Sequence, residues 1–429
     1  MRHIRTRRAG TAMLACMATL VVVGAAACSS GGSSSSEGGS SASGTLTFAE
    51  SGLGSEGIAT QTAINDFEKA NPSIKVDVQV LSANSTTYLS QLEHDFIAGS
   101  STPDVFESDV TYPAKFGQAG WDLPLTQFHI DTSQFFPTDV AAGTYNNTLY
   151  GVPWIDNPEG LFYRTDLVKA PPTSPAQVVS DAEAAMRKDP TLKEGIAFEA
   201  DKYEGAITAF LTVDSAFGGT LNPDSINSPG NVAALNWLHN AIYTSRIAPT
   251  AVTGWQEGEV QSEFDSGYAA FAIDYPFVEA QPMAASVKGH VGYIPFPAGA
   301  GGTPGAALGG EMLSINAKTA HAAAAYKLIQ YLTSPSVEDT RAIAAGDPPS
   351  LPSAYNSTLL SKAPYFAAVK TLNGYAAPRP VNPNYLSVSA DLQTLFSSVC
   401  ANSAANVAAS AFSSGAATIK SDATAAPGT

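Results

Sequence analysis

The chain has few cysteines, scattered histidines and a shortage of basic residues. Its three cysteines are Cys16, Cys28 and Cys400, and no Cys-x-x-Cys pair exists to suggest a metal site or a redox couple. Cys400 shares an apolar helical face with Leu392, Leu395, Phe396 and Val399, the setting of a buried small side chain. The six histidines, His3, His94, His129, His239, His290 and His321, are spread along the sequence. Neither His-Glu-x-x-His nor EF-hand spacing occurs, so no metal and no cofactor is expected. The absence of a G-x-x-x-x-G-K-[ST] loop excludes a nucleotide-driven motor within the chain itself. Lys and Arg total 22 against 38 Asp and Glu, a formal charge of −16. A surface of that sign repels nucleic acid and anionic lipid.

One long apolar run is present, Ala12 to Ala27, interrupted by Thr19 and Gly24. Arg2, Arg5, Arg7 and Arg8 precede it, giving the charged region and apolar core of a signal peptide over 1–27. The run is too short and too rich in small residues for a membrane span. It ends at Ala25-Ala26-Ala27-Cys28, followed by SSGGSSSSEGGSSASG. Small residues before a cysteine with a Ser/Gly tract behind it resemble a bacterial lipoprotein signal, which implies lipidation of Cys28 and attachment to the outer face of the cytoplasmic membrane. An ordinary secreted protein with a leftover cysteine is the plainer reading. Residues 28–44 form a flexible tether, its reach growing as about 5–6 Å times the square root of its length. Loss of 1–27 removes four arginines and no acid, leaving an exported chain near about −20.

SGLGSEG at 51–57 spells G-x-G-x-x-G between a strand-like TLTFAE and a helix-like IATQTAINDFEKA, with Asp77 about twenty residues on. This outline of a dinucleotide site fails on two counts. Nicotinamide cofactors are not maintained outside the cytoplasm, and Asp77 falls in the middle of the strand KVDVQV rather than at its end. Glycines after a strand also let backbone approach any ligand beyond the carboxyl ends of a sheet. Glu56 is therefore either a ligand contact or simply part of a helix-entry turn.

Strand and helix patterns alternate through 45–110, as in a parallel sheet. A stretch rich in Pro, Trp and turn residues follows over 111–175. Helical patterns return at 175–187, 204–217, 229–245 and 257–267, with a strand at 268–273 and a strand, glycine loop and strand over 292–315. A Thr-capped amphipathic helix is expected at 319–334, and further helices at about 335–345, 386–400 and in the alanine-rich end. The length after the tether exceeds one ordinary core, so two domains are expected.

DVFESDVTYPAKFGQAGWDLPLTQF (104–128), LYGVPWIDNPEGLFYRTDLV (149–168), YEGAITAFLTVDSAFGG (203–219), EVQSEFDSGYAAFAIDYP (259–276) and GGEMLSINAKTAHAAAAYKLIQYLTSPSVED (309–339) together carry a resemblance. Across 45–400 the chain resembles the extracellular sugar-binding proteins of ABC importers, the group that includes maltose-binding protein. PRPVNPNYLSVSADLQ (378–393) is similar to the trehalose/maltose-binding lipoproteins. The resemblance implies an α/β, periplasmic-binding-protein-like fold with two α/β lobes, a hinge and a central ligand cleft. Lobe 1 would comprise 45–153 plus about 276–318, and lobe 2 about 154–275 plus about 319–425. It further implies a monomer that captures a disaccharide or short oligosaccharide by closure and passes it to an ABC permease served by separate ATPase subunits.

A sugar presents apolar C–H faces to aromatic planes and hydroxyls to fixed donors and acceptors. By that chemistry the candidates in PWIDNPEGLFY are Asp156 and Asn157 as hydroxyl partners, with Trp154 either a stacking plane or core. Asp109 follows a strand end. Glu204 opens a helix, where a carboxylate also simply favours the dipole. Trp255 and Glu257 lie in the polar loop GWQEGE. Tyr275 stands where the resembled family often has tryptophan. Gly310, beside Gly309, and Glu311 form a turn expected at the cleft. Arg379, fixed between prolines, matches an arginine that in the trehalose/maltose type reaches the ligand, although a surface ion pair would explain it too. Two other functions use similar residues: an exported glycoside hydrolase, which needs paired carboxyls, and a receptor for a non-sugar solute.

Overall fold

In this computed structural model, residues 43–426 are described, apart from 52, 53, 83 and 281 and the side chains of 54 and 55. The expected signal peptide and Cys28 lie outside the described residues. Alternating apolar residues generate the first strands. In β1 (Gly44–Glu50) Leu46 and Phe48 are fully buried, and β2 (Ile74–Val80) buries Ile74 and Val76 while Asp77 is exposed. Asp77 thus sits mid-strand and away from any strand end. The other strands are β3 (Val105–Asp109), a hairpin of β4 (Thr144–Tyr145) and β5 (Thr148–Leu149), β6 (Gly151–Arg164), β7 (Glu194–Ala197), β8 (Ala269–Asp274), β9 (Val291–Ile294), β10 (Ala306–Ile315) and β11 (Ala376–Ala377).

The main sheet has the order β2-β1-β3-β10-β6-β8-β7, with β11 beside β10 and β9 beside β6. β1 runs parallel to β2 and β3, and β7 parallel to β8. Between these parallel ends lie β10 and β6, two long antiparallel strands paired from Ala307↔Glu159 to Ser314↔Gly151. Their register shifts at Glu311/Met312, a bulge that bends the strand and re-aims side chains.

Apolar clusters occupy both ends of the sheet. One gathers Leu46, Phe48, Phe67 and Leu313 with Leu328 and Leu332 of the Ala322–Leu332 helix. Another gathers Ile196, Phe210, Phe271, Phe396 and Phe412. Cys400 belongs to the second, and burial pushes its thiol up to about 12. A third, around Phe162, Phe264, Leu308 and Phe366, lies where β6, β8 and β10 meet.

Helix boundaries follow local chemistry. Pro175–Lys188 starts with Ser174 accepting from Gln177 N–H and Pro175 in its first turn, and ends on Arg187 and Lys188. Glu257–Asp265 carries a reciprocal capping box, Gln256 N–H donating to Glu259 at 3.0 Å. Glu259 therefore caps its own helix. The expected Thr cap at 319 is corrected: the N-cap is His321, and the Thr319 hydroxyl instead donates to Asp104 and accepts from His321 N–H. Two short helices, Ser357–Lys362 and Phe366–Leu372, were not expected, since six or seven residues hardly establish a helical period.

Candidate functional site

The sheet brings the expected residues together where its two parallel ends meet. Asp109 is the last residue of β3 and pairs in register with Glu311 of β10. Its carboxylate accepts from Thr111 N–H at 2.8 Å and from the Thr111 hydroxyl at 2.6 Å. Glu204 is the first residue of the Glu204–Asp214 helix. Arg379 joins the two, donating to Glu204 at 2.8 Å and to Asp109 at 3.3 Å. Glu204 also accepts from the hydroxyls of Tyr385, at 2.6 Å, and Ser389. Arg379 is 5 % exposed. The guanidinium is thus buried and its two carboxylate partners partly so, unlike a surface ion pair. Burial opposes the guanidinium charge, but Asp109 and Glu204 more than offset it and hold Arg379 firmly protonated.

Gly310 has φ 116°, and a Cβ there would stand 2.1 Å from the Ile155 carbonyl oxygen. Only glycine fits this close approach of β10 to β6. A Cβ on Gly309 would lie 2.7 Å from the Tyr275 ring, so backbone and ring are in contact there. Tyr275 donates its hydroxyl to Thr208 at 3.0 Å. Burial raises the Glu311 carboxyl well above the ordinary range, and Asp109, Glu107 and Glu56 add to the rise.

Glu56 lies in the first turn of the Gly54–Ala70 helix, 4.0 Å from Arg341. Arg341 pairs with Asp347 at 2.8 Å and lies over the Trp154 ring at 3.9 Å. Trp154 is 1 % exposed and meets Phe48 edge-on. Of its two readings, the structure gives it the core, with its free face covered by a guanidinium. Asp156 departs from expectation. It too is buried, accepts from the Asn373 amide and has Asp139 and Glu338 as neighbours. Burial, then Asp139 and Glu338, raise its carboxyl. It supports β6 from behind instead of offering an open hydroxyl acceptor. Asn157 pairs with Gly309 and its Oδ1 has no hydrogen-bond partner.

Trp255 is half-buried and packs on two of the clusters, so it covers their junction. Glu257 opens the Glu257–Asp265 helix, its N–H donating to the Tyr203 hydroxyl at 2.9 Å. Burial pushes its carboxyl to about 7.

Further residues join this site. Glu107 accepts from Ser51 N–H at 2.7 Å, and burial raises it to about 7. Glu159 accepts from Thr212 at 2.5 Å and Thr208 at 3.4 Å, and burial raises it to about 8. Glu199 and Asp274 follow or end β7 and β8, at the carboxyl ends where ligands gather. Period-2 alternation from Asn157 signals Glu159, and the end of the expected strand at 268–273 signals Asp274. Nothing in VEDTRAIAAG singles out Arg341.

The site is thus a polar junction with fixed donors, many carboxylate acceptors and few uncovered aromatic faces. No metal-holding group of His, Cys, Asp or Glu occurs among the described residues, and no described helix is long and apolar enough to cross a membrane.

Comparison with known proteins places this geometry. Residues 52–339 match the bacterial extracellular solute-binding protein family, and the chain belongs to it. It is a solute-binding protein of an ABC transporter, working outside the cytoplasm and not an enzyme. A probable ABC transporter-binding protein of Deinococcus radiodurans is 30 % identical over 352 residues, 78 % of this chain and 83 % of that protein. The maltose-bound MalE3 of T. maritima superposes with a TM-score of 0.81 at 28 % identity, covering 88 % of this chain and 99 % of that one. A solute-binding protein of Thermotoga lettingae, bound with α-D-tagatose, gives 0.78 at 23 % identity over 89 % and 100 %. The chain therefore has the periplasmic-binding-protein-like fold of the maltose-binding group.

Proposed function

We propose that this protein captures a disaccharide or short oligosaccharide of the trehalose/maltose type and delivers it to a membrane permease served by a separate ATPase. The observation that carries the reading is the Asp109–Arg379–Glu204 bridge. It joins the β3 end of the sheet to a helix packed in the opposite cluster, at the junction where β10 bulges. The likeness to a maltose-bound relative supports a sugar as ligand.

In this reading β6 and β10 are the crossing segments between two lobes. The lobe containing β1 to β3 takes in the Ala322–Leu332 helix, which packs with Phe48 and Phe67. In the same reading the second lobe returns beyond that helix, not at about 319. The ligand bridges both lobes and stabilises the closed form. Asp109, Glu204, Arg379, Glu56, Glu257, Asn157 and Glu311 pair its hydroxyls, with Tyr275 and Trp255 as apolar faces. Gly309 and Gly310, which lie within β10 beside its bulge and not in the expected turn, admit it to the backbone. Trp154 and Asp156 hold the strand that carries Asn157. Lipidation at Cys28 would keep the monomer at the membrane face, and Cys28→Ala should release it to the medium.

Thermal shift against trehalose, maltose, maltotriose, sucrose, cellobiose, xylobiose and several amino acids tests the function. A ligand at 100 times its Kd should stabilise the fold by about 2.7 kcal/mol. A shift with amino acids alone would replace the sugar reading by that of a non-sugar solute receptor.

A further inference from the structure

The carboxylates of the site are not equally matched. Asp109 and Glu204 share Arg379, and Asp347 and Glu56 share Arg341. On the β7–β8 side, among the described residues, Glu159, Glu199, Glu257 and Asp274 have no lysine or arginine within ion-pair distance. Glu199 is 2 % exposed and neither of its carboxylate oxygens has a hydrogen-bond partner. Asp274 is fully buried and its Oδ2 is likewise unpartnered. A Cβ on Gly205 would lie 1.6 Å from Glu199 Oε2 and 2.2 Å from the Tyr203 hydroxyl. The Glu199 carboxylate is therefore seated tightly against the start of the Glu204–Asp214 helix, not turned out to solvent. Asn157, on the same face of β6 as Glu159, contributes one more unpartnered oxygen.

Every unpartnered atom in this group is a carboxyl or amide oxygen, and once the carboxyls ionise all of them can only accept. A sugar hydroxyl brings one donor together with acceptor lone pairs, whereas an ammonium brings three donors, a positive charge and no acceptor. Burial favours the protonated form of these carboxyls in the ligand-free protein, and a cation is what offsets the cost of ionising them.

We infer that the ligand is an amine-bearing saccharide whose ammonium group sits among Glu199, Asp274, Glu159 and Glu257. This rests on the sugar-binding reading above and narrows its substrate class. The rest of the molecule engages Asp109, Glu204 and Arg379 as any sugar would. The ammonium supplies the missing positive charge on the β7–β8 side.

The test is calorimetric titration of the full chain with three disaccharides of one linkage: β-1,4-linked glucosamine disaccharide, its N,N′-diacetyl form and cellobiose. Maltose, trehalose and spermidine complete the set. The glucosamine disaccharide should bind at least tenfold more tightly than either neutral counterpart. Glu199→Gln should shrink that preference to under threefold, and Asp274→Asn serves if the first variant fails to fold. Equal or tighter binding of neutral sugars overturns the ammonium assignment and leaves the sugar reading intact. Binding of spermidine alone keeps the cation and overturns the saccharide. Binding of no amine-bearing compound overturns the inference.

Discussion

Arg341 lies across the Trp154 ring and pairs with Asp347, six residues along the chain, while Arg379 joins Asp109 of β3 to Glu204 of a helix in the opposite cluster. Both guanidinium groups are buried among acids. Arg341 fastens the start of one helix and one aromatic ring on the same side of the sheet. Arg379 links carboxylates 270 and 175 residues away in sequence. A buried arginine can thus be a local platform or a cross-link between distant parts. Its partners decide which, not its burial.

The comparison is broken most directly at Arg379. Arg379→Ala leaves two partly buried carboxylates, Asp109 and Glu204, without their cation, which should cost about 3 kcal/mol of stability. Ligand affinity should fall at least tenfold as well. Urea denaturation and calorimetry read the two effects separately. Unchanged affinity would make Arg379 purely structural.

The carboxyls with no arginine or lysine at ion-pair distance give the next largest effect, through pH. Burial holds Glu159 at about 8 and Glu257 at about 7 in the folded protein. Their folded values lie above the unfolded value, so the folded form keeps its protons over a range where the unfolded form has lost them. The stabilisation is full below the unfolded value and is lost as pH rises through the folded one. The ligand-free protein should lose about 2–4 kcal/mol between pH 5 and pH 8. Melting curves across that range check the sign. A rise in melting temperature towards pH 8 would contradict it.

Arg341→Ala should cost less, about 2 kcal/mol, because it strands one buried carboxylate, Asp347, where Arg379→Ala strands two, and the stacking over Trp154 is one cation–π contact. If this variant proved more damaging than Arg379→Ala, the distinction between platform and cross-link would fail.

These differences mark what was legible in the sequence. The alternation of TLTFAE and KVDVQV and the close-approach glycines at 309 and 310 are local signals, and local rules read them, whereas the cap expected at Thr319 falls to His321 because Thr319 is drawn to the distant Asp104. Asp109, Glu204 and Arg379 were individually recognisable as candidates, but not as one bridge, because only folding brings positions 270 apart into contact. Asp274 was visible only as the acid after the expected strand at 268–273, and Glu199 not at all, since the four-residue strand β7 before it is too short to show a period. Asp156 looked like its neighbour Asn157 in PWIDNPEGLFY. The two alternate across β6, so one is buried against Asn373 while the other accompanies Gly309. Arg341 gave no signal, since its meaning lies wholly in Trp154, Glu56 and Asp347.

Tyr275 offers the smallest and most discriminating test. Its ring touches the Gly309 backbone and its hydroxyl reaches Thr208, which in turn reaches Glu159. The residue thus connects the bulged β10 to the carboxylates that lack a cation. Tyr275→Phe removes one buried hydrogen bond and should cost about 1 kcal/mol, leaving the ring face in place. Because Thr208 only accepts from Tyr275 and its own proton stays shared between the Gly205 carbonyl and Glu159, the loss should not spread to the Arg379 bridge. Sugar affinity should therefore fall less than threefold. A loss as large as that of Arg379→Ala would mean that the hydroxyl, and not the ring face, meets the ligand, and the polar side of the site would extend from Arg379 to Thr208 without a break.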